Sequence, residues 1–387
     1  MRDVPFLDIV IGSTLVDALV AAVVLLFVGV RRPTEGSGPP RIGVLRVALA
    51  MLVTSLVFVG KAAVFWRLGV SLFGTIHLVY VDLVVLIPAI GLGLLGISIS
   101  GWRRPTLLIK LASLASLALI PIGVYTTWIE PYNLRLETAR LALPGARVGT
   151  KPVKIAVLTD LQTDGVTDYE RRAIRLLMDQ KPDLILLPGD VFQGSDSDFE
   201  ATKSSLRDLL AELQAPGGVF LVLGDTDGPG DLLRTILPET SIRLLVDDVA
   251  RVSVNGRNLT IGGLQLGFRN PSAQAVVQQL ETEPGTDDIR IILAHRPDVA
   301  LGLKPGSRID LVVAGHTHGG QIVIPGYGPP VTLSKVPREV AAGGLHQINA
   351  NPIYVSRGVG HERGEAPRVR FFCPPEVSIV ELHQREP

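Results

Sequence analysis

Leu311-Val312-Val313-Ala314-Gly315-His316-Thr317-His318-Gly319-Gly320-Gln321 carries the strongest single signal in the chain. Four apolar residues run without a polar break and then meet a His-x-His pair set between glycines. A short continuous apolar run reads as a strand covered on both faces. Glycines let the backbone turn tightly, so two imidazoles one residue apart can be brought to one centre.

Four similar runs lie upstream: Ile155-Ala156-Val157-Leu158, Leu184-Ile185-Leu186-Leu187, Val219-Phe220-Leu221-Val222-Leu223 and Ile291-Ile292-Leu293-Ala294. The first is followed by Asp160-Leu161-Gln162, the second by Gly189-Asp190, the third by Gly224-Asp225-Thr226-Asp227 and the fourth by His295. In open α/β sheets, ligands bind at the carboxyl ends of strands. Each residue alone is weak: an Asp after a strand is usually a turn residue, and a lone His there is usually structural. Together the five ends aim Asp160, Asp190, Asp225, His295, His316 and His318 at one edge, and the chain has only seven histidines. Carboxylates and imidazoles without a thiolate suit Mn, Fe or Zn better than Cu or Ca.

The segments between the first three runs read as helices. Thr167 or Asp168 caps one whose Ala173, Leu176, Leu177 and Gln180 share a face, and Asp198 caps another with Leu206, Leu209, Leu210 and Leu213 inward. Asn255-Gly256 marks a hairpin within residues 252–261, and residues 377–382 form a last strand. Alternating strand and helix predicts an α/β layered domain.

The first third reads differently. Apolar segments span residues 9–30, 47–60 with an extension to Trp66, the interior of 70–99, and 111–129. About 20 helical residues cross a hydrocarbon core of roughly 30 Å. The expectation is an α-helical membrane domain of about four transmembrane helices over 1–130, a linker at 131–152, and an α/β domain over 153–387. Basic loops at Arg31–Arg41 and Arg103–Arg104 belong in the cytoplasm, with only Lys61 and Arg67 opposing them. That orientation makes a multi-pass protein of the cell membrane with an extracytoplasmic C-terminal domain. Asp17 and Asp82 fall inside spans, where carboxylates are functional suspects; the plainer reading sets them inside the bundle or near an interface, against Lys61 or Arg46.

Composition bounds the rest. Of 387 residues 47% are hydrophobic, mean hydropathy is +0.36, and 37 basic side chains balance 37 acidic ones. That balance excludes a strongly basic nucleic-acid binder. It hides a split, with ten basic and six acidic side chains in residues 1–130 against 27 and 31 in the remainder. The single cysteine, Cys373, excludes an internal disulfide framework and a CxxC zinc site.

Residues 153–383 resemble the calcineurin-like metallophosphoesterase superfamily, and more closely its membrane-anchored bacterial branch. The resemblance rests on Ile129-Glu130-Pro131-Tyr132, Ala294-His295-Arg296-Pro297-Asp298, Gly315-His316-Thr317-His318-Gly319-Gly320-Gln321, Tyr354-Val355-Ser356-Arg357-Gly358 and Cys373-Pro374-Pro375-Glu376. It implies a four-layer αββα sandwich and two-metal hydrolysis of phosphoesters. By position, Asp160, Asp190 and His318 would hold one metal; Asp190 would bridge to a second held also by Asp225, His295 and His316. Asp190, His316 and His318 would be central to catalysis.

Three positions depart from the family's motifs. Gln162 stands where the family has His, Asp225 where it has Asn, and Thr226 where it has the His that stabilises the phosphate or protonates the leaving group. Gln162 offers a neutral carbonyl, so the first metal should bind more weakly, leaving one or two divalent ions. Asp164 could approach that metal and His361 could supply the missing proton. Two functions follow: a membrane-anchored phosphoesterase acting on a lipid or envelope phosphodiester, or a catalytically impaired relative serving as a membrane binding or scaffold module.

Overall fold

The computed structural model describes residues 6–29, 44–99, 107–144, 147, 151–228, 231–266, 268–284 and 287–385. The chain divides into two compact units: Met1–Thr127 with Arg363–Arg368, and Trp128–Glu362 with Val369–Pro387.

The first unit is helical: α1 (Phe6–Gly29), α2 (Val44–Arg67), α3 (Leu72–Val81), a π-helical turn at Asp82–Leu86, α4 (Ile87–Ile99), α5 (Leu107–Leu117) and α6 (Leu119–Val124). Among the described residues three stretches are long and apolar enough to cross a membrane: Phe6–Leu26, Leu72–Gly96 and Lys110–Tyr132. These match the first, third and fourth expected spans; the second is helical throughout α2, with part of its side chains, Arg46 included, outside the described residues. The basic loops at 31–41 and 103–104 also lie outside them. Lys61 sits inside α2 rather than in the connection that follows. Its Nζ lies 2.5 Å from Asp17 Oδ2 and 2.9 Å from Asp82 Oδ2, and all three side chains are largely buried. The two intrahelical carboxylates therefore share one ammonium, which offsets the cost of burying each charge.

The second unit is a sandwich. One sheet runs in the order β1 (Arg135–Leu143), β12 (Glu376–Gln384), β2 (Val153–Val157), β3 (Leu184–Leu187), β4 (Val219–Leu221), β5 (Ile242–Leu244), and the other β10 (Gly344–Ile348), β11 (Asn351–Val355), β9 (Leu311–Ala314), β8 (Ile289–Ala294), β7 (Arg257–Leu264), β6 (Asp248–Val254). The five apolar runs become β2 (Val153–Val157), β3 (Leu184–Leu187), β4 (Val219–Leu221), β8 (Ile289–Ala294) and β9 (Leu311–Ala314). β2, β3 and β4 are mutually parallel, as are β8 and β9. Alternation sorts their side chains by face. Ile155, Val157, Leu184 and Leu186 meet Ile261, Ile291, Leu293, Leu311 and Val313 between the sheets. Ala156, Ile185 and Leu187 face outward against helices Asp168–Met178 and Asp196–Ala211. Ile292, Val312 and Ile353 face outward against helix Pro271–Thr282. Four layers, αββα, result, and the strands read as continuous apolar runs because both of their faces are covered.

Local chemistry sets the helix starts. Thr167 caps Asp168–Met178 in a reciprocal box with Glu170. The second cap is Ser195, not Asp198: Ser195 Oγ accepts from Asp198 N, and the Asp198 carboxylate reaches back to Ser195 N at 2.9 Å. Such a box satisfies two otherwise orphaned N–H groups and contributes on the order of 1 kcal/mol. The hairpin turn joins β6 (Asp248–Val254) to β7 (Arg257–Leu264), with Asn255 at φ 52° and Gly256 at φ 74°. Positive φ at both residues is the type I′ geometry.

The stretch read as a linker holds a strand. β1 (Arg135–Leu143) pairs in parallel with β12 (Glu376–Gln384) and buries Leu141 and Leu143 in the inter-sheet core. It lies at the sheet edge, so Arg135, Thr138 and Arg140 stay exposed and dilute its apolar alternation.

Candidate metal centre

All six side chains gather where the carboxyl ends of β2, β3, β4, β8 and β9 meet. Beyond β2 and β3 the ladder continues into the turns: Asp160 N donates to Gly189 O at 3.0 Å and Gln162 N to Asp190 O at 2.9 Å. Across the sheets, His316 N donates to Asp160 Oδ1 at 3.1 Å. Asp160, Gln162, Asp190, His316 and His318 all take positive φ, between 39° and 71°. Left-handed backbone disfavours a Cβ, and such strain collects at functional sites. Glycine is required beside them: a Cβ on Gly224 would collide with Asp190 Oδ1, and one on Gly315 with Asp160 Oδ2.

Two overlapping groups have ligand atoms within 4.8 Å of one another: Asp225 with His295 and His316, and Asp160 with Asp190 and His295. His295 Nε2 lies 3.4 Å from Asp225 Oδ2 and 3.5 Å from Asp190 Oδ2, while His316 Nδ1 is 2.9 Å from Asp225 Oδ2. His318 falls outside both groups but keeps Nε2 3.6 Å from Asp160 Oδ1.

The donor set fits a cation. His295 Nδ1 is 2.8 Å from Pro188 O, which fixes a proton there and leaves Nε2 as the ring nitrogen facing the carboxylates. Buried His295 Nε2 and His318 Nδ1 make no hydrogen bond among the described residues. Electrostatics agree. Burial pushes the Asp160 carboxyl up to about 7. Burial opposes a charge on His295, but Asp190, Asp225 and Asp160 prevail and raise its pKa to about 9. Burial, with Arg370 and the neighbouring imidazoles, holds His318 well below the usual histidine value. Burial also works against ionised Asp225, yet the neighbouring His295, His316 and Arg296 side chains hold it well below the usual carboxylate range. Asp160 and His295 thus retain protons where positive charge is wanted, while His318 and Asp225 stay in their ligating forms.

Gln162 turns its amide Nε2, rather than its carbonyl, toward Asp190 Oδ2 at 3.2 Å; an amide NH₂ can donate to a carboxylate but cannot ligate a cation. Thr226 donates its backbone N–H to Asp190 Oδ1 at 2.8 Å. Asp164 lies outside both groups, and its carbonyl accepts from Thr202 Oγ1 at 3.3 Å. His361 is buried and near enough to His318 to oppose its protonation.

Three participants were not singled out from sequence. Arg296 grips Asp225 through both Nε, at 3.1 Å, and Nη2; its signal was its place beside His295. Glu362 accepts from Gln193 Nε2 at 2.7 Å and from Gln162 Nε2 at 3.4 Å. Asp227 accepts from the backbone N–H of Asp190, Val191 and Gly224, each at 2.8 Å, tying the end of β3 to that of β4.

Residues 153–320 match the family described as Calcineurin-like phosphoesterase. Phosphodiesterase YaeI of Escherichia coli (strain K12) is 30% identical over 267 residues, covering 67% of this chain and 92% of that protein. The Bacillus subtilis (strain 168) protein called uncharacterized metallophosphoesterase YkuE is 28% identical over 269 residues, covering 67% of this chain and 88% of its own length.

Proposed function

This chain belongs to the calcineurin-like metallophosphoesterase family, and from that premise we propose that it is a membrane-anchored hydrolase of phosphodiesters. The observation that carries the reading is the meeting of three carboxylates and three imidazoles at five strand ends, with buried His295 Nε2 facing the carboxylates and making no hydrogen bond among the described residues.

Asp160, Asp190 and His318 are assigned to one cation, and Asp190, Asp225, His295 and His316 to another. Bound divalent ions supply Lewis acidity toward phosphoryl oxygens and toward water. The protein's own groups do the rest. Pro188 O fixes the His295 tautomer. Arg296 neutralises one charge of Asp225 and keeps a partly exposed guanidinium at the site, where it can meet a phosphate oxygen. Asp227 and the Asp190–Thr226 hydrogen bond hold the carboxylates in place.

Threonine at 226 delivers no proton near neutral pH. Acid help to a leaving group is worth about 10²–10⁴-fold, so turnover should favour leaving groups that depart as stable anions. The relative named phosphodiesterase YaeI supports the diester class. Helices long enough to span a bilayer support a lipid or envelope phosphodiester and a cell-membrane location, and the basic loops support an extracytoplasmic hydrolase domain.

Two contacts favour a second reading. Gln162 Nε2 on Asp190 and Arg296 on Asp225 already occupy carboxylates that the cations need, as in an impaired relative that binds or scaffolds at the membrane. Full-length protein in detergent with added Mn²⁺ separates the two. Hydrolysis of bis(p-nitrophenyl) phosphate that ceases on chelation supports the enzyme, and absence of turnover over a range of phosphodiesters and phosphomonoesters refutes it.

A further inference from the structure

Next to the metal centre the sandwich exposes apolar side chains that its core does not use. Ile324, Tyr327, Val331, Leu333 and Phe372 are each 43–55% exposed. They come from two segments held side by side: Val323 N donates to Phe371 O at 2.9 Å and Phe371 N to Gln321 O at 2.8 Å. The loop is built rather than trailing. Ser334 Oγ and Lys335 N both donate to Asp298, at 2.6 and 3.0 Å, and the Arg338 guanidinium stacks 4.0 Å from the centre of the Tyr327 ring. It also adjoins the site, with Leu333 O 3.4 Å from His316 Nε2.

Two features make this surface costly to the fold. Leu333 and Phe372 take φ of 52° and 48°, a conformation that bulky residues seldom adopt. Both are exposed there, so burial does not compensate the strain. Backbone strain kept without a packing return points to function. Charge indicates the occupant: from Ile322 to Arg338 the chain carries Lys335 and Arg338 and no carboxylate, and both cations are exposed. Apolar and aromatic side chains beside cations are the chemistry of a phospholipid interface, and the same chain carries helices able to span a bilayer.

We propose that the Ile322–Leu333 loop with Phe372 is a lipid-seating rim: it holds the acyl chains of a bilayer phospholipid while the phosphodiester of that lipid enters the metal centre. The substrate half of this statement rests on the hydrolase reading; the lipid contact does not.

The test uses the full-length chain in nanodiscs of phosphatidylglycerol doped with a diazirine-acyl phospholipid, photolysed and mapped by mass spectrometry. Expected labels fall on residues 322–333 and 371–372 as well as on the apolar helices, and those on the rim drop severalfold in the Ile324→Ser/Phe372→Ser variant. Labels confined to residues 6–132, or crosslinks from the rim to a second copy of the chain, overturn the proposal. Because labelling needs no turnover, an inactive protein still decides the rim.

A paired assay reads the substrate. With Mn²⁺ in detergent micelles, hexadecyl p-nitrophenyl phosphate and methyl p-nitrophenyl phosphate share a leaving group and differ only in the chain. Burying alkyl surface is favourable per methylene, so kcat/KM for the hexadecyl ester should exceed that for the methyl ester by about tenfold or more, and the same variant should bring the ratio toward one. A ratio unchanged by the variant contradicts the rim, while methyl-ester turnover would still uphold the hydrolase.

Discussion

Each unit of this protein gathers a set of carboxylates, largely buried in the helices and buried at Asp160 and Asp190 but not at Asp225 in the sandwich, and the two sets are balanced in different ways. In the helices, Asp17 and Asp82 close on the ammonium of Lys61. In the sandwich, Asp160, Asp190 and Asp225 face imidazoles, with Arg296 on Asp225, and His295 Nε2 and His318 Nδ1 make no hydrogen bond among the described residues. A buried charge must be paired or must bind a metal. The first cluster is satisfied by its own chain and reads as a structural tie. The second is incomplete as folded and reads as a cation site.

The largest expected effect breaks the second cluster. Asp190→Ala removes the carboxylate shared by the proposed cations and should lower phosphodiester turnover by about 10³-fold or more, since the loss of even one stabilising donor at an active site costs about 10²–10³-fold. Turnover within tenfold of the unmodified protein would place the chemistry elsewhere.

Lys61→Met is the matching change in the helices. It leaves two carboxylates facing each other in an apolar bundle, and breaking a buried pair costs about 3–5 kcal/mol. Thermal unfolding in detergent should show that loss, while Mn²⁺ affinity stays unchanged. Retained stability would mean the triad is not a tie.

Smaller still, Thr226→His should sharpen the account of the leaving group. Restoring a proton donor should speed hydrolysis of an alkyl diester by about 10²-fold and leave a p-nitrophenyl diester nearly unaffected. An equal gain on both would mean that the residue acts on the phosphate rather than on the leaving group.

The mildest effect is on pH. Asp160 is raised to about 7 and His295 to about 9, so each holds a proton that a cation must displace. Below the raised value the proton competes and affinity falls; above it the ligand is free. Mn²⁺ affinity measured calorimetrically should therefore fall by up to about tenfold per unit as pH drops below about 9 for the ion at His295, and below about 7 for the ion at Asp160. The Lys61 tie has no part in this, so Lys61→Met should leave the profile unchanged.

Much of this was legible in sequence because strand ends are local. An apolar run followed by Asp or His states both the element and the group that it carries, and all five such runs became strands ending at the site. The apolar helices were legible for the same reason. What sequence hid depends on contacts between distant residues. Arg296 and Asp225 are 71 positions apart, and Gln162 and Glu362 are 200 apart. Neither pairing has a local pattern, and each changes the chemistry: Arg296 cancels the charge that Asp225 adds, and Glu362 helps hold the Gln162 amide. Lys61 was legible as a partner for Asp17 and Asp82, which it meets, but its place inside a helix was not, because a cation near the end of an apolar run reads as a loop residue. β1 was hidden because an edge strand with one wet face looks like a polar linker.

Calorimetric titration of Mn²⁺ into the full-length chain, beside the Asp190→Ala/His295→Ala variant, tests the cation site most directly. The account predicts saturable binding of two ions per chain that the double substitution abolishes. Absence of binding to the unmodified chain, or equal binding to both proteins, would contradict it.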